Sequence, residues 1–208
     1  MTDVKVCGLT REEDVRAACA LGAAYVGFNF SVLSARRVAP ARARSLAAAA
    51  TGALRVGVFV DESYRDIEEA VAQVPLDIVQ IHRPLVADDL RHGGGRVLAV
   101  VRAGREEEIP SADLLGRCAG ILFDSSSGTG GGGTGVPFDW SLLDGRSWLV
   151  PLFVAGGLHP ANVADSISRT RPAAVDVASG VEASPGVKDH AKMERFFAAV
   201  READARPG

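Results

Sequence analysis

Two apolar runs, each closing on small residues, decide the fold: Leu149-Val150-Pro151-Leu152-Phe153-Val154-Ala155-Gly156-Gly157 and, after a polar interval, Ala174-Val175-Asp176-Val177-Ala178-Ser179-Gly180. Both are rich in residues that favour extended backbone. Their cores are apolar on consecutive positions, as in strands of a parallel sheet covered on both faces. Between them Val163 and Ile167 stand one helical turn apart, and Pro160 suits the first turn of a helix, where a missing N–H costs little. The unit is strand, glycine-bearing loop, helix, strand.

The same unit repeats outward in both directions. Strand-like runs occur at Val4–Cys7, Tyr25–Phe28, Leu54–Val60, Asp77–Ile81, Val97–Val101 and Gly120–Phe123. Helical spacing separates them, as in Val15, Ala18, Cys19 and Gly22, and in Ile67, Ala70 and Val71. Thr10-Arg11-Glu12-Glu13 reads as a capping box, Ser63-Tyr64-Arg65-Asp66 as a weaker one, and Pro40 as a first-turn proline. With the two opening runs, this makes eight βα units. An open doubly wound sheet needs fewer, so the expected fold is a closed (β/α)8 barrel, one domain over residues 1–208. The Ser/Gly-rich stretch Ser125–Gly135 follows a strand and is expected to be a loop at the barrel top.

Composition narrows the function. The net charge of −3 argues against a basic face for nucleic acid, and no apolar run approaches the roughly 18 residues of a membrane span. The N-terminus enters strand-like sequence at once, which points to a cytosolic protein. Cys7, Cys19 and Cys118 are too few and too irregularly spaced for a disulfide framework or a zinc site. Cys19 and Cys118 read as small buried hydrophobes.

In this fold, chemistry sits where strands end and βα loops begin. The polar residues at those positions are Cys7, His82, Asp124 and Asp176, with Gly156-Gly157 and Ser179-Gly180 in the loops after strands 7 and 8. Exposed amides of such loops can cradle a phosphate, and these two loops are the usual phosphate site of the fold. Asp124 ends an apolar run. A carboxyl partly removed from water can act as a proton donor, and one in this position can equally cap a helix or bond the Ser/Gly loop. Cys7 serves as a base if positive potential favours its thiolate, and otherwise fills the core; Lys5, two residues earlier, is the nearest candidate source of that potential. Arg36, in the loop after strand 2, suits two-pronged recognition of a carboxylate or simple solvation.

Taken in order, these blocks resemble the phosphoribosylanthranilate isomerase family over nearly the whole chain. The resemblance is carried by Lys5-Val6-Cys7-Gly8-Leu9-Thr10, by Gly27-Phe28-Asn29-Phe30 with Ser34-Ala35-Arg36, and by Gln80-Ile81-His82. Further along it is carried by Asp124 with Gly132-Gly133-Thr134-Gly135, by Ala155-Gly156-Gly157-Leu158, and by Asp176 to Glu182 followed by Pro185-Gly186-Val187-Lys188-Asp189. It implies an Amadori rearrangement of N-(5-phosphoribosyl)anthranilate. Asp124 is then the general acid, Cys7 the general base and Arg36 the partner of the anthranilate carboxylate. The backbone at Gly156, Gly157, Ser179 and Gly180 holds the phosphate, and His82 and Asp176 stand on the rim. No metal or organic cofactor is implied, and the expected state is a monomer, with a dimer as the alternative. The chain departs from the family pattern at Ser31-Val32-Leu33 and at Arg83-Pro84. Related barrels that isomerise a histidine-pathway aminoaldose carry an aspartate at the end of strand 1; Cys7 stands there in this sequence. A barrel that binds phosphate without catalysis is the other alternative.

Overall fold

The computed structural model describes residues 1–94, 96–125 and 138–206. Eight parallel strands close into a barrel in sequence order. They are β1 (Asp3–Val6), β2 (Tyr25–Asn29), β3 (Leu54–Phe59), β4 (Ile78–Ile81), β5 (Val97–Arg102), β6 (Gly120–Asp124), β7 (Leu152–Val154) and β8 (Ala174–Val177). Closure comes from β1 pairing with β8, with Lys5 in register with Asp176. Around the barrel run α1 (Glu12–Ala20), α2 (Pro40–Ala49), α3 (Tyr64–Gln73), α4 (Ala87–His92), α5 (Ala112–Leu115), α6 (Val163–Thr170) and α7 (His190–Asp204). Among the described residues, the link from β6 to β7 contains only a 3-10 turn at Trp140–Leu143. All eight expected strands form, and the fold is the (β/α)8 barrel.

Side chains alternate along a strand, so each strand sends every second residue inward. The barrel's interior is the cluster of Val56, Ile78, Leu98, Val100, Leu122, Phe153, Ala155 and Ala174. The residues of opposite parity pack outward against the helices in a larger cluster that includes Val26, Leu46, Ile121, Val175 and Phe196. This is why the strands read as unbroken apolar runs.

Local expectations fared unevenly. Ser63 and Asp66 form the reciprocal cap of α3, and Pro40 opens α2. The expected box at Thr10 does not form: α1 starts at Glu12 after Arg11, and the Thr10 hydroxyl donates instead to Gly186 O at 2.5 Å. A tertiary acceptor outcompetes the local one. Pro160 lies in the turn before α6 rather than in its first turn, because Asn162 is spent on the loop: its Oδ1 accepts from His159 N and its Nδ2 donates to Gly157 O. Strand β7 starts at Leu152, three residues later than expected, since Pro151 has no N–H to give and Leu149 is exposed. A hairpin of β9 (Glu182–Ser184) and β10 (Val187–Lys188), unforeseen in the sequence, follows β8. The Ser/Gly-rich loop, apart from Ser125, lies outside the described residues. Cys19 and Cys118 are free thiols and half-buried.

Four carboxylates in ion pairs, Asp14, Asp77, Glu108 and Glu182, are held below their ordinary range. Arginine bonds are the leading cause for Asp77 and Glu108, paired with Arg55 and Arg102. For Asp14 and Glu182, burial pushes the pKa up, and their hydrogen bonds and cationic neighbours reverse it. A depressed carboxylate contributes stability above its unfolded pKa of about 4, and the contribution is lost as pH falls through the folded value. Thermal unfolding followed by circular dichroism should therefore give a Tm that holds from neutrality down to about pH 5 and falls steeply below about pH 4. A Tm insensitive to pH across that acid range would show that these ion pairs do not stabilise the fold.

Candidate active site

The inward parity of the strands assembles the site. Lys5 and Cys7, Gln80 and His82, Leu122 and Asp124, and Asp176 and Ala178 are each two residues apart, so each pair shares the interior face. The upper member of each pair reaches the C-terminal mouth of the barrel. There Cys7, Arg36, His82, Asp124 and Asp176 line one cavity, together with Gly156, Gly157 and Ser179. Gly180 is not on the lining; it sits immediately behind, where an added Cβ would lie 1.9 Å from Leu158 O, so only glycine lets the loops after β7 and β8 touch. Gly156 and Gly157 have φ of 80° and 65°, a turn that side chains resist. A larger groove beside α3, lined by Phe30, Leu33, Glu69 and Gln73, contains none of these groups. Convergent polar chemistry, not size, marks the mouth.

Lys5 is wholly buried, and its Nζ donates to Asp176 Oδ2 at 2.8 Å. Burial works against the ammonium, but Asp176 and Cys7 outweigh it and hold its pKa above the ordinary lysine value. The Cys7 amide donates to Val177 O at 2.9 Å, which fixes the thiol at the β1–β8 seam. Burial pushes the thiol's pKa up; Lys5 pulls it down, Asp176 pushes it up and Lys188 pulls it down, and burial prevails. The positive potential expected beside Cys7 is present, yet it does not by itself make a thiolate.

His82 approaches Gln80, with 2.6 Å between Nε2 of the ring and Nε2 of the amide. Assigning the amide nitrogen as donor makes the ring nitrogen the acceptor and places the ring proton on Nδ1. Burial lowers the His82 pKa against the upward pull of Asp124, favouring the neutral ring. Gln80 Oε1 and Asp176 Oδ1 are buried without a hydrogen-bond partner among the described residues. Buried acceptors in a mouth of this kind are suited to donors on a ligand.

Arg36 lies on the opposite wall from β6, in the loop after β2. Its guanidinium is gripped at two points by Glu182, Nε to Oε1 at 2.9 Å and Nη2 to Oε2 at 2.7 Å. Burial pushes Glu182 up, and the bonds from Arg36 and Lys188 hold it below its usual range. The sequence assigned no role to Glu182, Lys188, Gln80, Asn29 or Ser34; the last three line the mouth with the expected residues. The period-two rule pointing from His82 back to Gln80 was the available signal for one of them. Among the described residues, no group of three or more His, Cys, Asp or Glu side chains could hold a metal ion, and no helix is long and apolar enough to cross a membrane.

Comparison with known proteins agrees with this geometry. Residues 4–199 match the family model of N-(5'-phosphoribosyl)anthranilate (PRA) isomerase. The N-(5'-phosphoribosyl)anthranilate isomerase of Pseudomonas fluorescens (strain Pf0-1) is 43% identical over 199 residues, 95% of this chain and 97% of that protein. Among solved structures, phosphoribosyl anthranilate isomerase from Thermotoga maritima superposes with a TM-score of 0.85 at 35% identity, covering 97% of this chain and all of the other (100%); a second structure, of monomers generated from the dimeric Thermotoga maritima enzyme, superposes with a TM-score of 0.82 at 35% identity, covering 97% and 99% of the two chains. A phosphoribosyl anthranilate isomerase in complex with reduced 1-(o-carboxyphenylamino)-1-deoxyribulose 5-phosphate superposes with a TM-score of 0.80 at 34% identity, covering 97% and 100% of the two chains. On a full-length family match and a relative above 40% identity, the chain belongs to the N-(5'-phosphoribosyl)anthranilate isomerase family.

Proposed function

We propose that this chain catalyses the Amadori rearrangement of N-(5-phosphoribosyl)anthranilate to 1-(2-carboxyphenylamino)-1-deoxyribulose 5-phosphate in tryptophan biosynthesis, with Asp124 as general acid and Cys7 as general base. The observation that carries the assignment is the convergence of Cys7, Asp124, Arg36 and the glycine turns of two consecutive loops on one cavity. The anthranilate carboxylate faces Arg36, and the phosphate faces the amides around Gly157 and Ser179, with Gly180 packed behind them as the residue that lets the two loops meet. These two anionic ends hold the ribose between β1 and β6. Asp124 donates a proton to the ring oxygen as the C1–O bond breaks, leaving a protonated Schiff base. The Cys7 thiolate then takes the proton from C2, and the C2–H electrons form the enolamine, which tautomerises to the ketone. The cationic Schiff base adds positive charge beside Cys7 and favours its thiolate in the complex, against the burial that disfavours it in the free protein. Asp176 Oδ1 and Gln80 Oε1 are the acceptors available to substrate hydroxyl or amino hydrogens, and neutral His82 is a rim contact.

One barrel holds every residue of this assignment, so a single protomer is a sufficient catalytic unit; a monomer acting in the cytosol is the state assigned to it in this reading. The direct test follows loss of substrate fluorescence on turnover; a folded protein that leaves phosphoribosylanthranilate unchanged sinks the reading. Arg36→Ala should remove a charge-assisted contact worth about 1.5–3 kcal/mol and raise KM accordingly, while inhibition by ribose 5-phosphate, which lacks the carboxylate, stays near the wild-type level. An unchanged KM would make Arg36 a structural loop residue.

A further inference from the structure

Arg36 is held by a group 146 positions away in sequence. Glu182 Oε1, besides accepting from Arg36 Nε, accepts from Lys188 Nζ at 2.8 Å and from Gly186 N at 3.2 Å. Lys188 Nζ also donates to Ala178 O at 3.1 Å, and Lys192 Nζ to Glu182 O at 2.8 Å. The side chains of Glu182 and Lys188 are 4% and 0% exposed, and that of Arg36 11%. The hairpin carrying both is itself tied down: Lys188 N donates to Asp14 Oδ2 at 3.1 Å, and Gly186 O accepts from Thr10. A buried anion and a buried cation are thus delivered behind one arginine at the mouth.

We propose that Glu182 and Lys188 are positioning residues that set the orientation and charge with which Arg36 meets the substrate carboxylate; this rests on the reading of Arg36 given above. A guanidinium has five N–H donors. Glu182 occupies two of them, on the Nε–Nη2 edge, so the ligand is offered Nη1 and the outer proton of Nη2. That leaves the end-on, two-point approach to a carboxylate and excludes the side-on one. Charge sets the role of Lys188. Arg36 and Glu182 alone sum to zero, and a neutralised arginine attracts an anion weakly. Lys188 restores a net charge of one, matched to one carboxylate, and offsets the cost of burying Glu182.

The test is a double-mutant cycle on the full chain, with wild type, E182Q, E182D, R36A and R36A/E182Q. Each is measured for turnover of phosphoribosylanthranilate and for inhibition by ribose 5-phosphate. E182Q raises the cluster's net charge to two, which alone would favour the anion, but it frees the guanidinium from its fixed orientation; the loss of orientation should prevail and raise KM by about 10–100-fold, with a smaller change in kcat. E182D should recover part of the loss. Inhibition by ribose 5-phosphate should stay within about twofold, and the double variant should match R36A within about twofold, since Glu182 acts through Arg36. Losses that add in full, an unchanged KM in E182Q, or ribose 5-phosphate affinity falling in step would overturn the proposal. If E182Q does not fold, the same cycle with E182D decides. A normal KM in R36A overturns the carboxylate reading and the proposal with it, leaving the roles of Cys7 and Asp124 standing; a raised KM in R36A with additive losses overturns the proposal alone.

Discussion

Cys7→Ser should leave a folded barrel whose turnover of phosphoribosylanthranilate is reduced by about 10²–10⁴-fold, the usual contribution of a general base. Serine nearly preserves the size of the side chain at the β1–β8 seam, so packing is an inadequate explanation for a loss on that scale. What changes is acidity: a hydroxyl is a far poorer source of the anion that must take the C2 proton. Asp124→Asn should produce a loss of the same order for the opposite reason, because it removes the proton that opens the ring. Cys7 follows β1 and Asp124 ends β6, strands that are not neighbours in the closed order. The two groups therefore serve different atoms, and neither replaces the other. Steady-state kinetics supply the check, with circular dichroism to confirm the fold. Near-normal turnover in Cys7→Ser, with chemistry still rate-limiting, would return the thiol to the role of a small filler.

The second large effect is expected at Lys5. Lys5→Met leaves Asp176 buried, with its Oδ2 partner removed and its Oδ1 already without one among the described residues. Breaking a buried ion pair from one side typically costs about 3–5 kcal/mol, a large part of the 5–15 kcal/mol that holds a protein of ordinary stability together. Denaturant unfolding should show it as a lower midpoint. The pair also acts on Cys7 with opposite signs, Lys5 pulling the thiol's pKa down and Asp176 pushing it up. Asp176→Asn should consequently lower the pKa and speed alkylation of Cys7 by iodoacetamide at fixed pH, whereas Lys5→Met should raise it and slow the reaction. With Cys19 and Cys118 replaced by alanine, the one remaining thiol reports directly. Slower alkylation in Asp176→Asn would show that the pair does not tune the thiol in this way, and full stability in Lys5→Met would show that it does not stabilise the barrel.

Periodicity and composition by themselves determined the eight strands, their order and the closed barrel, because a strand buried on both faces must be apolar along its length and a helix must recur between parallel neighbours. They also placed Cys7, His82, Asp124, Asp176 and the two glycine turns at the mouth, since the fold puts strand ends there. Tertiary structure alone decided which charges meet. Lys5 finds Asp176 across the closing seam, 171 positions away, and Arg36 finds Glu182 across 146. No local spacing encodes either pair; each depends on the register of β1 against β8 or on a hairpin whose backbone is anchored by Asp14 and Thr10. The Thr10 hydroxyl shows the same competition on a smaller scale. Local sequence offered it a helix to cap, and the folded chain brought it a carbonyl instead. Local rules act through neighbours in sequence, while pairing of buried charges is settled by which groups the closed barrel leaves without water.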